Sequence, residues 1–240
     1  DPATYGTIVL NKKTGEGQAM PAVAFPHWWH RTQFTCKVCH TEIGFPMKAG
    51  ATDFNMGEIF GGNQCGKCHN GTIAFMATEC NRCHSVGQEV KENRKIAETL
   101  KDLPKNTYGN KVDWVKALRD SAIKPKATLD GSGEMMVFDM DIEIPVAKFT
   151  HHPPDVLYPH KAHTEWLDCS SCHPDIFNMQ KGGNPEMSMM KIISGRYCGT
   201  CHGKVAFPLL DCFRCHSQPV KPPDGPKPAQ ETAPSPAPGK

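Results

Sequence analysis

Six copies of one short pattern, Cys-x-x-Cys-His, define the chemistry that this sequence can carry out. They lie at Cys36–His40, Cys65–His69, Cys80–His84, Cys169–His173, Cys198–His202 and Cys212–His216. In this pattern two thiols bond to the vinyl groups of a porphyrin, and the adjacent histidine ligates the iron, which is the attachment signature of c-type haem. The sequence therefore predicts six covalently bound haem c groups.

The motifs use every cysteine of the chain. With 12 cysteines and six motifs, no thiol is left for a disulfide or a catalytic nucleophile. Zinc ribbons also use paired cysteines but need no histidine directly after the second one, so six such histidines favour haem over zinc. The predicted thioether-forming residues are Cys36, Cys39, Cys65, Cys68, Cys80, Cys83, Cys169, Cys172, Cys198, Cys201, Cys212 and Cys215. The predicted proximal iron ligands are His40, His69, His84, His173, His202 and His216.

Six of the 12 histidines remain as candidates for the opposite, distal side of each iron. Four of them form two His-x-x-His pairs, each ending six residues before the first cysteine of a group of three motifs. Exposed histidines without a role would not be expected to recur as a pair at the same position of both repeats, and imidazole is a common iron ligand. We therefore expect distal ligation by His27, His30, His160 and His163.

The sequence contains an internal repeat with an offset of 133 residues. The offset carries the histidine pair and two haem motifs onto their second copies, and one residue is lost before the third motif. Matching residues are Pro21 and Pro154, His27 and His160, Cys36 and Cys169, Ile59 and Ile192, Gly66 and Gly199, and Cys80 and Cys212. The chain is thus predicted to consist of two trihaem units.

Each unit has the form Pro-x-Val-x-aromatic-Pro-His-x-x-His followed by three haem motifs, and resembles the trihaem cytochrome c7 type of class III multihaem cytochromes. The resemblance covers about residues 20–85 and 153–217. It implies a mostly irregular, loop-rich fold with short α-helices and few β-strands, built around closely packed haems that transfer electrons. It also implies that the two leading histidines of each unit cap its first and second haems.

The distal ligand of the third haem in each unit is left with two alternatives. Relatives with only histidine ligands carry a histidine four residues before the second motif, where this chain has Gly61 and Ser194. Thioether ligation is one alternative, because Met56 and Met189 occupy equivalent places in the two repeats. The other is a pair of adjacent histidines without a counterpart in the first unit, His151 and His152.

Length and composition fit a haem-cored protein. Sharing 240 residues among six haems, with 38% hydrophobic residues, leaves segments too short to close an apolar core without the porphyrins. The haem propionates outweigh the formal net charge of +2, so the holoprotein is expected to be anionic and nucleic acid is not an expected partner. The sequence contains no apolar run of about 18 residues, so it does not predict a membrane-spanning helix.

The sequence divides into five segments. These are an N-terminal strand or hairpin segment (1–20), the first trihaem unit (21–85), a linker with helices and a strand (86–152), the second trihaem unit (153–217) and a Pro-rich tail (218–240). Periodicity predicts strands at Thr4–Leu10 and Met136–Ile144 and helices at Gln88–Leu103 and Asn110–Arg119. We expect the linker to pack the two units together.

These features predict an electron carrier of anaerobic respiration, working toward extracellular or outer-membrane acceptors. The expected partners are other cytochromes, an outer-membrane conduit or extracellular acceptors. Covalent haem attachment takes place outside the cytoplasm, so we expect an exported protein in the periplasm, at the cell surface or outside the cell. A polymeric extracellular wire, with ligands or tail crossing to a neighbour, is the alternative. A multihaem reductase is less favoured, since none of the six motifs is altered.

Overall fold

The structure is a computed structural model that describes residues 2–88, 98–146 and 153–219. Its longest α-helix within these ranges has seven residues, and loops connect nearly all the elements. The expected loop-rich fold with short helices and few strands is confirmed. No helix in the described part of the chain is long and apolar enough to cross a membrane.

The regular elements are short and spread along the chain. The strands are β1 (Thr7–Leu10), β2 (Val23–Pro26), β3 (Asp141–Ile144), β4 (Asp155–Pro159) and β5 (His216–Gln218). The α-helices are α1 (His27–Gln33), α2 (Met56–Phe60), α3 (Cys80–Cys83), α4 (Trp114–Arg119), α5 (His160–Thr164), α6 (Met189–Ile193) and α7 (Cys212–Cys215). A π-helical turn lies at Val38–Glu42. Short 3₁₀ helices lie at Gln64–Lys67, Leu100–Asp102, Cys169–Ser171 and Tyr197–Thr200.

The strand pairing extends the repeat beyond the residues that show it in the sequence. β1 pairs antiparallel with β2, with Thr7 opposite Pro26, and β3 pairs antiparallel with β4, with Asp141 opposite Pro159. In both copies the proline is followed at once by the helix that carries the His-x-x-His pair. Each trihaem unit is therefore preceded by an equivalent strand that fixes where this helix begins.

The predicted elements are present but shorter than predicted. The strand predicted over Met136–Ile144 is only β3, because its partner β4 ends where α5 begins and no described strand lies opposite the earlier residues. The helix predicted over Asn110–Arg119 is α4, which begins after Asp113, whose side chain accepts a hydrogen bond from the Lys116 amide.

Two other predicted segments fall mostly outside the described ranges. Of the helix predicted over Gln88–Leu103, residues 89–97 lie outside the described residues, and Leu100–Asp102 forms a single turn of 3₁₀ helix. Of the Pro-rich tail, residues 220–240 lie outside them as well.

The linker forms an apolar core that touches both trihaem units. Its buried members within the linker are Leu103, Val112, Ala117 and Ile123. They pack against Trp166 of the second unit, and Cys36 of the first unit lies against the same cluster. Burial of this apolar surface holds the first haem motif of one unit beside the other unit.

Candidate functional site

In the first unit, the histidine predicted to cap the first haem faces the proximal histidine of that motif. The His27 and His40 rings lie 6.4 Å apart between centroids and are almost parallel, at 3°. Two metal–nitrogen bonds of about 2 Å each, together with the radii of two imidazole rings, add up to about 6.3 Å. The pair thus has the spacing of two imidazoles on opposite sides of one metal ion.

The second motif shows the same spacing in both units. His30 lies 6.3 Å from His69, and His163 lies 6.2 Å from His202, with an interplanar angle of 63° in both pairs. Neighbouring aromatic rings are duplicated too, since Phe75 and Phe207 contact the motif histidines at 4.3 and 4.2 Å.

The fourth expected distal histidine, His160, has different neighbours. Its ring lies edge-on to Tyr158 at 4.8 Å and to Phe138 at 5.4 Å. Within the described ranges, the structure shows no ring contact between His160 and the proximal His173 like that between His27 and His40. The structure thus brings three of the four expected histidine pairs to metal-bridging distance.

All six motif histidines are oriented by the same kind of hydrogen bond. In each, Nδ1 donates to a backbone carbonyl oxygen at 2.6–3.2 Å. The acceptors, in chain order, are the carbonyls of Phe45, Phe75, Pro21, Phe177, Phe207 and Pro154. A proton held on Nδ1 leaves Nε2 as the lone-pair nitrogen, which is how proteins orient imidazole toward a metal.

The distal histidines follow this rule with one exception. His30 and His163 donate from Nδ1 to the carbonyls of Pro26 and Pro159, at 2.9 and 2.8 Å, and His160 donates to Met140 at 3.2 Å. The Nδ1 atom of His27 is buried and has no hydrogen-bond partner among the described residues. The orientation of His27 therefore depends on ring packing, including an edge contact with Phe25 at 4.7 Å.

Burial favours the neutral form of several of these imidazoles. It lowers the pKa of His27 to about 3 and the pKa values of His30 and His202 to about 4, from an ordinary value of 6.5. Burial also lowers the pKa of His40 and His163. Because a protonated imidazole cannot bind iron, this environment favours the form that a ligand requires.

The cysteines lie in surroundings that suit thioether formation better than a thiolate metal site. None of the 12 is in a disulfide. Burial raises the pKa of Cys39 and Cys201 to about 12, which disfavours the thiolate that zinc requires. In the described part of the chain, no three His, Cys, Asp or Glu side chains are grouped as a metal site would need. The residues fit covalent haem rather than zinc.

A glycine inside the second motif of each unit has a packing role that the sequence does not reveal. A Cβ atom added at Gly66 would collide with the carbonyl oxygen of Ile59, and one added at Gly199 with that of Ile192. These carbonyls belong to α2 and α6, so each helix packs directly onto the haem motif that follows it. The matching of Gly66 with Gly199 in the repeat is the signal that could have suggested this contact.

The candidate ligands of the third haem lie in different parts of the chain. Met56 and Met189 begin the equivalent helices α2 and α6 and are 41% and 44% exposed. The two methionines are equivalent because the offset of 133 carries Met56 onto Met189. His151 and His152 lie outside the described residues. The proximal histidines of these sites, His84 and His216, are buried.

The comparison with protein families identifies both repeats. The family model described as cytochrome c7 and related cytochrome c matches residues 23–85 and 156–217, which together make up just over half of the chain. The chain belongs to this family. It is a multihaem c7-type cytochrome of two trihaem units that binds haem c covalently, as the sequence predicts.

Two solved structures are among those to which this chain is similar. The C-terminal hexaheme fragment of GSU1996 is 25% identical, with 89% of this chain and 98% of that chain covered and a TM-score of 0.29. A c7-type three-heme cytochrome domain is 36% identical, with 33% of this chain and 91% of that chain covered and a TM-score of 0.29. At these TM-scores the likeness carries no argument about the fold, so the assignment rests on the family match. A comparison with curated proteins found no match.

Proposed function

We propose that this protein is a hexahaem electron carrier whose irons are all six-coordinate. The observation that supports this most strongly is the separation of 6.2–6.4 Å between the rings of three histidine pairs, each of which joins a leading histidine to a motif histidine. Six-coordinate haem exchanges electrons with little rearrangement and has no open position for a substrate.

The ligand set combines the motifs and these three pairs with the repeat, which supplies His160 as the counterpart of His27. The two cysteines of each motif hold one haem by thioether bonds, and the motif histidine binds its iron through Nε2. His27 and His30 bind the first and second irons of the first unit on the distal side. His160 and His163 do the same in the second unit. Each haem supplies the one-electron couple, and the protein sets its potential through ligand, burial and nearby charge.

For the third iron of each unit we favour thioether ligation by Met56 and Met189. Equivalent ligands are expected at equivalent places in a duplicated unit. Oxidised thioether-ligated haem has a weak long-wavelength absorption band, and Met56→Leu and Met189→Leu should each remove part of it. If the band is absent and neither variant alters the spectrum, the assignment passes to His151 and His152.

The route of the electrons is part of the same proposal. Covalent haem attachment outside the cytoplasm supports an exported protein, which would relay electrons in anaerobic respiration to other cytochromes, an outer-membrane conduit or extracellular acceptors. The polymeric alternative depends on residues 151–152 and on the tail beyond residue 219, which the structure does not describe.

Protein-film voltammetry separates a carrier from an enzyme. The carrier should give overlapping reversible one-electron waves that total six electrons, because six unequal haems spread the potentials. Nitrite, sulfite and hydroxylamine should leave the waves unchanged. A catalytic current with any of these, larger than that of free haem, contradicts the proposal and assigns the protein to the reductases.

A further inference from the structure

One arginine crosses from the first trihaem unit to the second. Arg31 follows His30 in α1, and its Nη2 donates a hydrogen bond of 2.5 Å to the carbonyl oxygen of Val205. Val205 lies three residues after His202, the proximal histidine predicted for the second haem of the other unit. The side chain therefore connects a distal-ligand helix of one unit to a haem-motif loop of the other.

Further hydrogen bonds join the same two parts of the molecule, and we call this contact between the two trihaem units the junction. The Tyr5 hydroxyl donates to the carbonyl of Ala206 at 2.6 Å, next to the acceptor of Arg31. The backbone amide of Lys37, inside the first haem motif, donates to the carbonyl of Trp166 in the second unit at 3.1 Å. The first haem motif of one unit is therefore hydrogen-bonded directly to the other unit.

Among the described residues, no carboxylate pairs with Arg31. Its guanidinium carbon lies 4.8 Å from the centre of the Trp114 ring, and its Nε is buried without a hydrogen-bond partner in the described part of the chain. None of the ion pairs among the described residues includes Arg31. A buried charge acts more strongly on its surroundings than an exposed one, because the dielectric around it is low.

The second unit has no equivalent of this charge. The offset of 133 carries Arg31 onto Thr164, whose buried hydroxyl donates to the carbonyl of His160. The arginine is thus not part of the repeat and belongs only to the first unit's side of the contact with the second unit.

Haem attachment motifs of both units lie close to the guanidinium. The amide of Val205, whose carbonyl accepts from Arg31, itself donates to the carbonyl of Cys201 at 3.0 Å. Trp114, whose ring faces the guanidinium, packs against the same apolar cluster as Cys36. The first motif of the first unit and the second motif of the second unit therefore meet beside Arg31.

We propose that Arg31 tunes the connection between the two trihaem units, by raising the reduction potentials of the haem sites at Cys36–His40 and Cys198–His202. A positive charge in low-dielectric surroundings opposes the extra charge of ferric iron and so favours the reduced form. The raised potentials make these two sites the link through which the units share electrons. The inference rests on the proposed electron-carrier function.

A redox titration that resolves individual haems, followed by NMR, tests this on the full holoprotein. Arg31→Gln keeps a donor for the Val205 carbonyl and loses the charge, so both junction haems should move to more negative potentials while the other four stay unchanged. Arg31→Lys keeps the charge and should keep the parental potentials. Lys116→Gln removes an equal charge from an exposed ion pair with Asp120 and should shift none of the six. Unchanged potentials in Arg31→Gln, or an equal shift of all six haems, would overturn the inference.

A second measurement needs no variant. In the parent protein, the strongest redox interaction between haems of different units should be that between the two junction haems. If it lies between another pair, the inference is wrong even when Arg31→Gln cannot be matured. A parent protein that fails to take up six electrons would instead contradict the proposed function itself.

Discussion

The two trihaem units share their second haem site almost atom for atom and differ at the first. At the second site the histidine rings are 6.3 and 6.2 Å apart at the same angle. The residues that precede these motifs, Gln64 and Tyr197, even share a left-handed backbone with φ of 49° and 52°. Such agreement in an unusual conformation indicates that the second site is fixed by the repeat itself.

The first site depends on what each unit has in front of it. In the first unit the His27 amide donates to Gly6 at 3.0 Å, and the ring nitrogen Nδ1 has no partner among the described residues. In the second unit the Met140 carbonyl accepts from both the amide and Nδ1 of His160. A hydrogen bond donated by Nδ1 makes an imidazole a stronger ligand to iron. We therefore expect the first haem to have a lower potential in the second unit.

The largest effect should come from the close contact between a helix and the second haem motif, which each unit contains. Gly66→Ala and Gly199→Ala place a methyl group against a backbone carbonyl, and each should lower the free energy of unfolding by about 3 kcal/mol. Denaturant unfolding of both holoproteins measures this. The second unit supplies a control, because Ser194 stands at the position of Gly61 and has the same φ and ψ. Gly61→Ser should therefore leave the free energy of unfolding nearly unchanged. Tolerance of alanine at both glycines would contradict the proposed packing.

Removing a distal histidine should change one haem. His30→Ala and His163→Ala should each convert one of six haems from low to high spin, with equal effects because the two second sites are alike. His27→Ala and His160→Ala should also convert one haem each. Electron paramagnetic resonance counts the high-spin centres. A silent His160→Ala variant would show that the first sites differ in ligand and not only in hydrogen bonding.

Acid should destabilise the protein between pH 6.5 and about 3. The pKa of His27 is lowered to about 3 and that of His30 to about 4, so below pH 6.5 the unfolded chain takes up protons that the folded chain refuses. Their contribution is complete above pH 6.5 and is lost as the pH falls, by up to about 1.4 kcal/mol per pH unit for each histidine. Denaturant unfolding at several pH values checks the slope, which should be smaller in His27→Ala. A slope that this variant leaves unchanged contradicts the assignment.

The smallest expected effect concerns the hydrogen bond from Tyr5, in the N-terminal segment, to the second unit. Tyr5→Phe removes the hydrogen bond to Ala206 and should lower the free energy of unfolding by about 1 kcal/mol. It leaves the haem surroundings intact, so the six potentials should not move. Chemical denaturation and redox titration of the same sample test both statements. A potential shift as large as that of Arg31→Gln would mean that the junction acts through packing rather than charge.

Local patterns predicted much of this molecule. The six motifs and the offset of 133 are visible in the sequence because haem attachment requires fixed residue types at fixed spacing. The same repeat predicted that His27 and His30 face haem motifs. α4 and β3 were predicted from periodicity, although both are shorter in the structure than the pattern that indicated them.

Long-range partners were not predictable from the same patterns. β1 and β3 have no residue-by-residue similarity that marks them as equivalent, since a strand is specified by backbone pairing with β2 or β4 rather than by particular side chains. Arg31 sits beside a predicted ligand in the sequence, but its acceptor is 174 residues away. Only the fold shows that it lies between the units.

The count of covalent haems in the mature protein tests the central claim most directly. All 12 cysteines lie in intact motifs, so the intact mass should exceed that of the polypeptide by six haem groups, with no thiol left to react with an alkylating reagent. A mass excess of fewer than six haems, accompanied by reactive thiols, would contradict the account.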